Sequence, residues 1–115
     1  MKPLLILFFL FLPPSAKAIE VIPVKNISGT EAEFNIRVQS KLNDFDEEKA
    51  VRIAKCESGL NPLAKNPNSS ASGLFQFTTP TWKYIKAESH QFNAEENIKQ
   101  FIKWYKIRPE WWVCQ

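Results

Sequence analysis

Two cysteines, Cys56 in the middle of the chain and Cys114 next to its end, are the only ones in 115 residues. Whether they are bridged decides how much freedom the rest of the chain keeps. The first residues bear on the compartment. Lys2 supplies a positive start, Leu4 to Leu12 is an apolar run too short to span a bilayer easily, and Ala16-Lys17-Ala18 is the small-x-small pattern that signal peptidase accepts. Residues 1–18 are therefore expected to be a signal peptide, the alternative being a retained membrane anchor. Taking 18 from 115 leaves a mature chain of 97 residues beginning at Ile19. Export to a secreted or periplasmic location implies an oxidising compartment, where the default is one disulfide, Cys56–Cys114. In the chain-entropy model, closing a loop of that length contributes about 4 kcal/mol, which matters in a domain with a small core. The alternative, a free reactive thiol, needs an activating base, and nothing in the sequence pairs His90 with either cysteine.

Charge excludes other classes. Without Lys2 and Lys17 the 15 basic side chains fall to 13 against 12 acidic ones, a net charge of +1. A nucleic-acid partner would call for a clear basic excess or a clustered stripe, so none is expected. With one histidine and two cysteines consumed by a bridge, no metal site and no cofactor are expected. No second apolar run is long enough to cross a membrane, and the mature chain is expected to be a monomer without a stable span.

Along the chain the signals change character near residue 44. Phe34, Ile36 and Val38 alternate with polar residues, a period that predicts a short strand in 31–39, with Glu20–Val24 as a possible hairpin partner; a flexible arm is the alternative for 19–43. From there the pattern is helical and the expected fold mainly α. Asp46 is placed to cap a helix, with Phe45 and Ala50 as a staple-like pair and Glu47 and Glu48 in the first turn. That helix runs to Ser58, and Gly59 stands at its C′ position. Leu60 to Ser72 is a loop by composition. A second helix is expected from Thr79 as N-cap and Pro80 at N1. A third starts at Asn93, with Glu96 completing a capping-box-like pair and Ile98, Phe101, Ile102 and Tyr105 on one face. Trp104, Trp111 and Trp112 crowd the last dozen residues, so the tail is expected to pack.

Glu57 is the candidate for chemistry. It occupies the last turn of its helix, where a negative charge is slightly unfavourable by the dipole argument. A carboxyl held partly in apolar surroundings has a raised pKa and stays available as a general acid near neutrality. The bland alternative is an exposed glutamate on a solvated helix end. Two-carboxylate glycosidases need a second acid close by. Asp46, at the other end of the same helix, would be about 16 Å away, and Glu88, Glu95 and Glu96 are expected to face solvent.

The run Glu57-Ser58-x-x-Asn61-Pro62, followed by Ala71-Ser72-Gly73-Leu74-x-Gln76, resembles the soluble-type lytic transglycosylases of the lysozyme-like superfamily. Cys56-Glu57-Ser58-Gly59, Gly73 to Trp82 and the terminal Trp111 to Cys114 are similar to resuscitation-promoting-factor domains, where a cysteine beside the catalytic glutamate is bridged to one near the C-terminus. The resemblance covers residues 46–114 and implies a lysozyme-like domain over 44–115 with at most a small N-terminal hairpin. It also implies cleavage of the bond between N-acetylmuramic acid and N-acetylglucosamine in peptidoglycan, with a cell-envelope or secretion apparatus as a possible partner. Glu57 matches the catalytic acid and base. Gly73, Leu74, Phe75 and Gln76 match the opposite wall of the cleft, with Gln76 hydrogen-bonding sugar. Thr81 and Trp82 match the head of the next helix, and Ser58 and Tyr105 join the substrate-binding set. Asn66 stands where many such enzymes carry a serine, and its amide can bond an N-acetyl group. Hydrolysis on the same fold and a non-catalytic wall-binding or assembly module are the alternatives.

Overall fold

The structure, a computed structural model, describes residues 28–114. The expected signal peptide and the strand partner at Glu20–Val24 lie outside those residues. Among the described residues four α-helices follow in order: α1 Gly29–Leu42, α2 Glu47–Ser58, α3 Thr79–Tyr84 and α4 Ala94–Tyr105, with a 3₁₀ turn at Pro109–Trp111. Among the described residues extended pairing is limited to two isolated bridges, Lys65 with Ser72 and Ser72 with Phe77. The expectation of a mainly α fold is met, with the disulfide between Cys56 and Cys114 formed.

The strand expected in 31–39 is instead the middle of α1. Ser28 caps this helix, its Oγ accepting from Glu31 N at 3.2 Å. Its buried face is Ala32, Ile36 and Ser40, spaced by four, while Phe34 is 66% and Val38 38% exposed. Ile36 belongs to both an alternating and a helical pattern, and only the helical one is used. Arg37 ties α1 to α2, reaching Glu33 on its own helix at 3.0 Å and Glu47 and Glu48 across the gap at 3.1 and 2.7 Å. Such exposed pairs contribute little each, so the buried Ala32 and Ile36 do most of the anchoring.

The caps of α2 are as expected. Asp46 Oδ1 accepts from Lys49 N, and Gly59 closes the other end at φ 63°, its N–H bonding Lys55 O at 2.9 Å. The cap of α3 is Thr78, one residue earlier than expected, its Oγ1 accepting from Thr81 N. Asn93 Oδ1 caps α4 through Glu96 N at 3.0 Å. Glu96 does not face solvent as expected. It is buried, and one carboxylate oxygen accepts from Glu88 N and Gln100 Nε2, both at 2.8 Å. Burial raises its pKa, but the Glu88 N–H, the Gln100 amide and Lys99 together hold it below the usual carboxylate value.

The core runs from Ile36, Ile53 and Ala54 through Leu74, Phe75 and Phe77 to Ile98, Phe101 and Trp112. Phe75 stacks on Phe101 with centroids 3.8 Å apart. Trp112 packs edge-on against Phe77 and Phe101, and its Nε1 donates to Phe75 O at 2.9 Å. The tail therefore packs into the core as its tryptophans predicted. No described helix is long and apolar enough to cross a membrane.

Candidate active site

Two segments converge on Glu57's end of α2. One is the helix terminus itself: Val51, Ile53 and Ala54 are buried, which fixes the last turn against the core and leaves Glu57 half-buried at its rim. The other is the tail, drawn in by the disulfide from the neighbouring Cys56 to Cys114, with Cα atoms 5.7 Å apart. Among the described residues the Glu57 carboxylate makes no hydrogen bond and no ion pair. Burial alone pushes its pKa up, with no charged side chain contributing. A second carboxylate about 5 Å away would have added a like-charge repulsion. The described residues also contain no cluster of three or more His, Cys, Asp or Glu able to hold a metal.

The Gly73–Phe77 segment is held by a residue that the sequence reading passed over. Asn97 is fully buried on α4, accepts from Phe75 N at 2.8 Å and donates to Gln91 O at 2.9 Å. Gly73 sits at φ 88°, and a Cβ there would run into Asn97 Nδ2 and Gln91 O. The available signal was an asparagine beside Ile98 on an otherwise apolar helix face. Gln91 was missed as well: its Nε2 donates to Phe77 O at 2.7 Å and its Oε1 accepts from Thr79 Oγ1 at 3.3 Å.

The expected substrate-binding residues separate into groups. Gln76 and Thr81 come together on the wall of a cavity of about 200 Å³, with Phe77, Thr78, Trp111 and Trp112. Gln76 has a left-handed backbone, φ 55°, unusual for a side-chain-bearing residue. Its Nε2 donates to Gly73 O at 2.9 Å and Ala64 O at 3.2 Å, which orients the amide and leaves Oε1 without a partner among the described residues. Phe75 is a correction: it is completely buried on Phe101, and its N–H and C=O are bonded to Asn97 and Trp112, so it has no surface for a ligand. Asn66 closes its own turn, Oδ1 accepting from Asn68 N at 2.7 Å. Ser58 Oγ donates back to Ala54 O at 3.0 Å. Tyr105 packs edge-on against Phe45, with Lys49 Nζ over its ring at 5.5 Å.

A larger, more open hollow of about 500 Å³ lies where Gly29, Thr30, Glu33, Phe34 and Arg37 meet Gly59 and Leu60. Glu57 lines neither hollow. Its link to the smaller one is covalent, through Cys56, Cys114 and the tail that carries Trp111 and Trp112.

An unpaired, desolvated carboxylate can give a proton and take one back, the requirement for general acid–base work on a substrate that supplies its own nucleophile. Residues 34–103 match the family model described as the Transglycosylase SLT domain. No curated protein and no solved structure matched the chain.

Proposed function

The chain belongs to the transglycosylase SLT domain family, and on that premise we propose that it is a peptidoglycan lytic transglycosylase with Glu57 as its single catalytic acid and base. The observation that carries this reading is the Glu57 carboxylate itself: half-buried, without a hydrogen bond or ion pair among the described residues, and raised in pKa by burial. It falls inside the region matched by the family model.

In the proposed reaction the protonated Glu57 gives its proton to the glycosidic oxygen as the bond from muramic acid C1 breaks, and N-acetylglucosamine leaves with a free hydroxyl. The resulting carboxylate takes the proton from the muramyl 6-hydroxyl as that oxygen bonds to C1. The product is a 1,6-anhydro ring, no water is consumed, and Glu57 ends protonated as it began. One carboxylate in two successive roles suffices, which fits a site where no charged side chain contributes to its titration. Signal-peptide cleavage would deliver the enzyme to the periplasm or the exterior, where peptidoglycan lies. Gln76 and Thr81 are the proposed sugar contacts.

The test is Glu57→Gln, which keeps the shape and removes the proton. Release of soluble fragments from purified peptidoglycan is expected to fall by about 100-fold or more. Undiminished release would remove Glu57 from the mechanism, and no release even by the parent protein would favour a wall-binding role.

A further inference from the structure

The matched family region ends at residue 103, yet the cavity that gathers Gln76 and Thr81 is closed on one side by Trp111, eight residues beyond it. Trp111 sits on the 3₁₀ turn with its ring 5.3 Å from Trp104 at 18°, so one indole face is covered and the ring is held in a fixed plane. It remains 37% exposed. Tyr84, 70% exposed, lies beside Trp104 with centroids 6.2 Å apart.

The six lining residues carry no charge, which fits a neutral ligand. The Thr78 and Thr81 hydroxyls lie 3.0 Å apart, so one hydroxyl proton of the pair remains available, while Gln76 Oε1 offers an acceptor. A donor, an acceptor and a flat indole around a small concave space suit a pyranose ring, which has polar edges and an apolar face. Position agrees. Trp111 is three residues from Cys114, whose Cα is 5.7 Å from that of Cys56, so its Cα lies within about 17 Å of Cys56.

We propose that Trp111, with Gln76 and Thr81, forms a subsite for one neutral N-acetylhexosamine ring of the glycan strand, a few sugars from the bond that Glu57 acts on. The proposal rests on the reading of the protein as a glycan-cleaving enzyme, and it makes Trp111 a binding residue that grips the strand.

The experiment titrates the full-length Glu57→Gln protein with N-acetylglucosamine tetramer and with soluble muramyl fragments. The readout is the tryptophan indole N–H resonances in NMR. The Trp111 indole signal is expected to shift most, and that of Trp82, held by Ser89 O at 2.8 Å, least. Trp111→Ala is expected to weaken binding about five- to tenfold, and Trp111→Tyr to restore most of it. In the otherwise native enzyme Trp111→Ala raises KM with little change in kcat. Wild-type lysis with unaltered binding and KM in Trp111→Ala overturns the subsite and leaves the catalytic reading intact. Glycan binding at Trp111 without lysis overturns the catalytic reading and keeps the subsite. If the oligosaccharides shift no Trp111 signal, the subsite falls. Should Trp111→Ala fail to fold, Thr81→Val carries the same KM test, and unchanged KM there counts against the proposal.

Discussion

Glu57 stands at a helix end that disfavours its charge, against a core that desolvates it, with no partner among the described residues to hold the proton off. The linkage has a definite sign. A carboxyl whose folded pKa lies above its unfolded one favours the folded state while protonated, and that contribution is lost as pH rises from the ordinary carboxylate range through the raised value. Glu57→Gln should therefore leave stability at neutral pH equal or slightly higher, and flatten its fall over that window, as thermal melts across pH will register. A lowered melting point would mean that Glu57 has a structural partner. Glu96 behaves oppositely: its lowered pKa gives stability that is present at neutral pH and lost on acidification through the carboxylate range. Glu96→Gln should show less acid sensitivity than the parent. Glu57's position was legible in the sequence because Cys56, Gly59 and the loop bracket it. Glu96's burial was not, because its partners are the Glu88 N–H, which no local pattern reveals, and Gln100, one turn along.

At the level of elements, α1 shows where sequence reading and folding part. Phe34, Ile36 and Val38 alternate convincingly, but a strand needs a neighbouring strand, and this segment packs on α2 and α4 instead. Side-chain truncation separates the two periods. Ile36→Ala, at a completely buried site, should cost about 3 kcal/mol in chemical denaturation, whereas Phe34→Ala should cost less than about 0.5 kcal/mol. Equal costs would speak against the helical face described. The Gly73–Phe77 segment depends on α4 through Asn97. Asn97→Ala strands the buried Phe75 N–H and should destabilise by about 3 kcal/mol. Gly73→Ala meets both a left-handed backbone and the Gln91 carbonyl, and a loss of similar size, about 3 kcal/mol, is expected. The glycine and glutamine of this segment could be read from the family resemblance. That Phe75 belongs to the core, and that an asparagine on α4 holds the segment, depend on contacts across 22 residues of sequence.

For the whole molecule, the Cys56–Cys114 bridge spans 58 residues and joins the acid's helix to the aromatic tail. Removing it by Cys56→Ser with Cys114→Ser should lower stability by about 4 kcal/mol. If the tail forms part of the glycan site, activity should suffer even at temperatures where the variant is folded. Full activity with only a lowered melting point would confine the bridge to stability. The bridge, the capped helices and the tail's packing were all foreseeable from cysteine placement, cap residues and tryptophan density. The cavity between Gln76, Thr81 and Trp111 was not, since it forms only when two segments, residues 76–81 and the tail at 111–112, meet. In the proposed reaction one carboxylate, with the substrate's own hydroxyl, cleaves the strand. Mass spectrometry of purified peptidoglycan digested by the wild-type protein tests it directly. Fragments ending in 1,6-anhydro-muramic acid, absent from a Glu57→Gln digest, are the result predicted; fragments ending in reducing muramic acid would mean that water is the nucleophile and would contradict it.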